Sequence, residues 1–214
     1  MRRHFLSVAF SLLAALTSAT SLHAETAPGD AERGKIRSKS EQCQECHGET
    51  GLGTSENYPK LAGQWASYIR KQLADFQSGA RKSEIMTAMA SVLSQQDIAD
   101  IAAYFSGAPR WDAEEIAFRA ATGQNLYNNG DAARGLPACG SCHGATGSGT
   151  EDGGMVIPAI GGQRPTYLTS QLHLWKVEDR ENSPGGAMNA VAKTLSDSEI
   201  HELAEFLANL RRDR

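Results

Sequence analysis

The chain has 214 residues, of which 40% are apolar, 21% charged and 7% aromatic, with a net charge of −4. That composition excludes collagen-like, wholly disordered and multi-span membrane proteins, and the length suits one large or two small domains. Four cysteines are too few for a disulfide-dense scaffold.

Residues 1–24 read as an export signal. Arg2 and Arg3 open it, an apolar run covers 5–19, and Ala24 offers a small residue for cleavage. The run is shorter than the ~20 residues of a membrane span. An uncleaved anchor is the competing reading, and RRHFL carries an incomplete twin-arginine pattern. The mature chain then begins near Glu25 with a net charge of −6. Neither half carries a basic stripe, so nucleic acid is not an expected partner, and no stable membrane insertion follows cleavage.

The predicted elements then follow in chain order. A helix over about 30–42 leads to CQECH at 43–47 and a Gly-rich loop at 48–53. After PKLAGQ (59–64), Trp65, Ile69, Leu73 and Phe76 recur at helical steps. A last helix opens at Ser94, an N-cap with Asp97 three residues on, and buries Ile98, Ile101, Ala102 and Phe105. Turn formers at 106–109 close this half. A second lead helix over about 115–128 precedes CGSCH at 139–143, a Gly-rich loop at 144–154 and PAIGGQ at 158–163. Tyr167, Leu168, Leu172 and Trp175 then form a helical stripe. Ser196 and Glu199 cap a final helix carrying Ile200, Leu203, Phe206, Leu207 and Leu210. No strand is predicted.

These matches are ordered, at offsets of 96, 99 and 102 residues, as loop insertions in a duplicated module would make them. The expected architecture is all-α, with domains at 25–108 and 109–214.

In CxxCH, positions i, i+3 and i+4 share a helical face. Cys43, Cys46 and His47 therefore point one way, as do Cys139, Cys142 and His143. Two thiols can bond the vinyl groups of a haem while the adjacent imidazole reaches its iron, which is c-type haem attachment. Redox dithiols and structural zinc are the alternatives. Zinc lacks a fourth ligand at each site, and no thioredoxin-like strand pattern is present. Two covalent haem c groups are expected.

The repeat also addresses the sixth ligand. Met86 and Met188 each lie seven residues before a Leu-Ser pair, at Leu93 and Leu195. Met89 corresponds to Val191, and Met155 to Glu56. The symmetric assignment is His47/Met86 and His143/Met188, with Met89 the runner-up in the first copy and ordinary core packing the alternative. His173 and His201 correspond to Ala74 and Ala99 and read as surface residues. A carbonyl near Pro59 or Pro158 could accept the Nδ1 proton of the ligand histidine, or these prolines could simply make a turn. Gln64, Gln163, Tyr68 and Tyr167 could meet haem propionates or could cap and pack.

At CHGETGLG, YPKLAGQ, YIRKQL and IMTAMASVLS, and again at CHGATGSG, PAIGGQ and MNAVAKTLS, the chain resembles the dihaem class I cytochromes c of the cytochrome c4 family. The resemblance covers nearly all of 28–210. It implies two cytochrome c folds facing each other, His/Met ligation by His47, Met86, His143 and Met188, and a periplasmic carrier of single electrons rather than an enzyme. The implied route runs from a quinol–cytochrome c reductase towards a terminal oxidase. The alternative is a dihaem electron-accepting subunit of a periplasmic dehydrogenase complex. One departure is RENSPGGA at 180–187, longer and richer in Pro and Gly than ARKSEI in the first copy.

Overall fold

The computed structural model describes residues 28–110, 120–152 and 154–210. The expected signal at 1–24 lies outside them. The N-terminal half contains α1 (Ala31–Ser40), α2 (Cys43–His47), α3 (Ala66–Ser78), α4 (Glu84–Ser91) and α5 (Gln95–Gly107). The C-terminal half contains α6 (Ala121–Asn129), α7 (Gly140–His143), α8 (Pro165–Lys176), α9 (Ala187–Thr194) and α10 (Asp197–Asn209). Among the described residues there are isolated β-bridges but no strand.

The first lead helix is slightly shorter than its sequence pattern suggests, ending at Ser40. Gln42 adopts a left-handed conformation, φ 58°, and turns the chain between α1 and the CxxCH turn. The second lead helix begins at Ala121, and 115–119 lie outside the described residues. Both predicted caps of the last helices are present. Ser94 and Asp97, and Ser196 and Glu199, form reciprocal capping boxes that satisfy otherwise unpaired helix-start amides.

Each half has its own core. Ile69, Leu73, Phe76, Ile98, Ile101 and Phe105 fill the first. Leu126, Tyr127, Leu168, Leu172, Ile200, Leu203 and Leu207 fill the second, with Leu210 and Trp175 packed against it. In both halves the lead helix crosses the last helix at a glycine. A Cβ on Gly34 would lie 1.9 Å from the Asp100 carbonyl oxygen, and one on Gly123 2.2 Å from that of Glu202. Only glycine permits so close a crossing.

Trp65 departs from the predicted core stripe. It caps α3 instead of joining its buried face, and its indole N–H donates to the Ser148 carbonyl of the other half at 3.0 Å. Its repeat counterpart Arg164 reaches back to Glu56 at 2.8 Å. The halves therefore grip each other's post-CxxCH loops around a pseudo-twofold axis. Gln64 and Gln163 extend the same exchange. Gln64 bonds both backbone groups of Ala159, at 2.8 and 3.0 Å. Gln163 bonds both backbone groups of Lys60, at 2.8 and 2.9 Å. Buried amide side chains thus take the place of a strand partner across the junction.

Candidate functional site

The first CxxCH forms α2, and the second runs from Cys139 into α7. Helical geometry places each histidine one turn beyond its first cysteine. His47 and His143 are buried, at 7% and 9% exposure. His47 Nδ1 lies 3.1 Å from the Pro59 carbonyl oxygen and His143 Nδ1 3.0 Å from that of Pro158. A carbonyl only accepts, so Nδ1 carries the proton and Nε2 keeps its lone pair. Burial pushes both imidazoles below their ordinary pKa, outweighing the upward pull of the proline carbonyls. Each ring is therefore neutral, oriented and able to bind a metal. Of the two readings of Pro59 and Pro158, the structure supports the carbonyl acceptor.

A continuous cavity of about 640 Å³ crosses the domain junction. It is lined by Cys43, Cys46, His47 and Met86 from the first half and by His143 and Met188 from the second. Apolar side chains of both cores complete its walls, among them Leu73, Phe76, Leu172 and Leu207. Such a cavity suits a flat apolar cofactor better than a hydrated ion. Among the described residues no three His, Cys, Asp or Glu side chains converge as a metal site. Zinc therefore finds no ligand set among the described residues.

The cysteines form no disulfide. Burial raises the pKa of the Cys43 thiol and pushes that of Cys139 up to about 11. A redox dithiol needs a depressed thiol pKa, so these environments point away from that chemistry.

Met86 and Met188 sit in the first turns of α4 and α9. The Pro-Gly-rich departure at 180–187 does not misplace the second methionine. Gly185 and Gly186 absorb the extra residues at φ 60° and 68°. The Met188 amide then donates to Ser183 Oγ at 3.1 Å, as the Met86 amide does to Ser83 Oγ at 3.2 Å. Met89 also lines the cavity. Met155 is 59% exposed, and His173 stands at the surface 3.9 Å from Asp197.

The Gln64, Gln163, Tyr68 and Tyr167 side chains, open between two roles in the sequence, all reach across the junction. Two cavity-facing arginines, Arg81 and Arg180, were not legible as site residues. Their equal spacing from Gln72 and Gln171 was the available signal.

Two helical domains, each built around a CxxCH turn with a buried, proline-oriented histidine, define a dihaem c-type cytochrome. Residues 29–105 match the family described as cytochrome C oxidase, cbb3-type, subunit III, and residues 120–211 match cytochrome c. The chain is 36% identical to cytochrome c4 of Thiocapsa roseopersicina, over 88% of this chain and 97% of that one. It is 37% identical to a thiosulfate dehydrogenase electron acceptor of Stutzerimonas stutzeri, over 78% of each. The crystal structure of reduced recombinant cytochrome c4 from Pseudomonas stutzeri superposes with a TM-score of 0.79 at 36% identity, covering 86% of this chain and all of that one. The chain belongs to the cytochrome c4 family. It is an electron-transfer protein and not an enzyme.

Proposed function

We propose that the mature protein, residues 25–214 after loss of the 1–24 signal, is a periplasmic carrier with one covalent haem c in each of the domains 25–108 and 109–214. Cys43 and Cys46 hold one haem by thioethers, and Cys139 and Cys142 hold the other. His47 with Met86, and His143 with Met188, would supply the ligands to the two irons. Haem iron so held supplies a one-electron ferric/ferrous couple of raised potential, as His/Met ligation favours.

The protein's own residues do the rest. The Pro59 and Pro158 carbonyls fix the imidazole planes, and Ser83 and Ser183 anchor the helix starts that carry the methionines. The apolar walls exclude water from the metal positions. With a histidine and a methionine committed to each iron, no position would remain for a substrate, consistent with electron transfer alone. The observation that carries this reading is the repeated pair: a proline-oriented histidine and a serine-anchored methionine on one cavity, in both halves.

Electrons pass from a quinol–cytochrome c reductase towards a terminal oxidase. A second reading, as the electron-accepting partner of a periplasmic dehydrogenase, is favoured by the likeness to the thiosulfate dehydrogenase electron acceptor. Mass spectrometry of the mature protein should give two added haems, and one or none rejects the dihaem assignment. Stopped-flow reduction then separates the routes. Rapid reduction by a quinol–cytochrome c reductase and slow reduction by a thiosulfate dehydrogenase supports the first, and the reverse order supports the second.

A further inference from the structure

The loops that follow the two CxxCH turns differ in length and in what they lay against the site. Three residues, 55–57, separate Thr54 from Tyr58 in the first half, and six, 151–156, separate Thr150 from Ile157 in the second. In the longer loop Thr150 and Ile157 pair through backbone hydrogen bonds of 2.9 and 2.8 Å. In the shorter loop Thr54 turns onto the CxxCH helix instead. Its amide and its hydroxyl both donate to the Cys46 carbonyl at 2.9 Å, and the hydroxyl also donates to that of Glu45 at 3.0 Å. The Tyr58 amide closes the loop on the Ser55 carbonyl at 3.2 Å. A Cβ on Gly53 would lie 2.6 Å from the Tyr58 carbonyl oxygen, so glycine lets the loop press Tyr58 against the helix.

The backbone of Tyr58 is thereby fixed, and its side chain has two neighbours in the motif. Its ring stands edge-on to the His47 imidazole, with centroids 6.4 Å apart and planes inclined by 61°. Its hydroxyl meets the Cys46 sulfur, and that hydrogen bond is the main cause of a phenol pKa above the ordinary value. Tyr58 also directly precedes Pro59, whose carbonyl fixes His47 from its Nδ1 side. The ring is half-buried and lines the cavity together with Cys46 and His47. At the equivalent position of the second half, Ile157 has neither a ring nor a hydroxyl.

We propose that Tyr58 is a positioning residue for the first haem alone: its ring edge holds the plane of the His47 imidazole, and its O–H donates to the Cys46 sulfur. This rests on the dihaem reading above. A thioether sulfur carries no proton and only accepts, so the phenol is the donor once Cys46 is linked to its haem. A donor at that sulfur draws electron density from the edge of the cofactor, which disfavours the ferric state, and hydrogen bonding around the cofactor is one of the protein's levers on potential. The imidazole plane decides how the ligand's π orbital meets the iron, and outer partners that fix this plane tune the metal. The two halves share their histidine–proline and serine–methionine bonds and part company at this position.

The test is a spectroelectrochemical titration and a proton NMR spectrum of the ferric holoprotein and its variants. The signals that change in Met188→Ala mark the second haem. Tyr58→Phe keeps the ring and removes the hydroxyl. It should lower the first haem's midpoint potential, leave the second haem's unchanged, and leave the haem methyl shifts nearly in place. Tyr58→Ile gives the first half the residue of the second and removes ring and hydroxyl together. It should lower the same potential and also move the first haem's methyl shifts, which report the imidazole plane. Tyr58→Phe is the milder change and keeps the test open if Tyr58→Ile does not mature. An unchanged first potential in Tyr58→Phe overturns the sulfur contact, and unmoved methyl shifts in Tyr58→Ile overturn the hold on the imidazole. Equal shifts in both haems overturn the restriction to the first. Fewer than two haems in the unaltered protein would instead reject the dihaem assignment.

Discussion

In the N-terminal half two residues, Glu41 and Gln42, connect the lead helix to the CxxCH turn. In the C-terminal half residues 130–138 do so, wound around a short 3-10 turn at Ala132–Arg134. The approach to the methionines differs too, direct in the first half and through Gly185 and Gly186 in the second. Yet the histidine–proline bond and the serine-anchored methionine come out alike, within 0.1 Å in each hydrogen bond. The cavity-facing residues keep one geometry in both halves. The connections face solvent and vary freely, as surface loops do.

The anchors behind those loops show the same freedom. Tyr104, on the last helix of the first half, bonds the Glu49 carbonyl. In the second half Tyr127, on the lead helix, bonds the Gly144 carbonyl at 2.6 Å. Two nonequivalent tyrosines thus restrain equivalent loops.

The largest expected effect comes from breaking one half alone. Cys139→Ala combined with Cys142→Ala should lower the mature mass by one haem and leave the N-terminal haem's spectrum in place. Loss of both haems would show that the halves do not mature independently.

Next in size is the contrast between the methionines. Met188→Ala should open its iron to added imidazole and abolish that haem's methionine-ligation band. Met86→Ala should bind imidazole more weakly, because Met89, on the same helix and cavity, offers a second thioether where the other half has Val191. Equal imidazole affinities in the two variants would remove Met89 from this role.

The junction glutamines should behave alike. Gln64→Ala or Gln163→Ala strands a buried N–H and C=O of the opposite half, at about 1–3 kcal/mol for each group. Denaturant unfolding should lose about 2–6 kcal/mol for either variant, and a large inequality would show that one half dominates the junction. Gly34→Ala and Gly123→Ala force apart the lead and last helices and should cost about 1–3 kcal/mol each by overpacking. Thermal melts of the holoprotein check both.

The smallest effect is a pH dependence with a different anchor in each half. Arg33 is the main cause of an Asp100 pKa of about 2, helped by the Asp30 amide. Arg134, with Ser196, likewise brings Glu199 to about 2. Both folded values are depressed, so the stabilisation is present above the ordinary carboxylate range and disappears as pH falls through about 2. Arg33 and Arg134 are 55% and 38% exposed, so solvent screens both pairs. A small loss of stability in each half is therefore expected in acid unfolding. Asp100→Asn and Glu199→Gln should each flatten that slope by about half.

The sequence by itself determined the duplication, the all-α class, both CxxCH turns, the capping boxes and the equivalence of Met86 and Met188. Each of these is local: a fixed spacing on one helix, a cap three residues from its partner, or a motif repeated at a regular offset. Tertiary structure decided how the halves meet. Trp65 reads as a core position by periodicity, but its indole N–H finds Ser148 across the junction. Arg81 and Arg180 carry no local sign of burial, and the domain junction buries them together. Periodicity reports the face a helix turns towards its own core. It says nothing of a second face covered by a partner domain, because the residues that cover it lie about a hundred positions away in the chain.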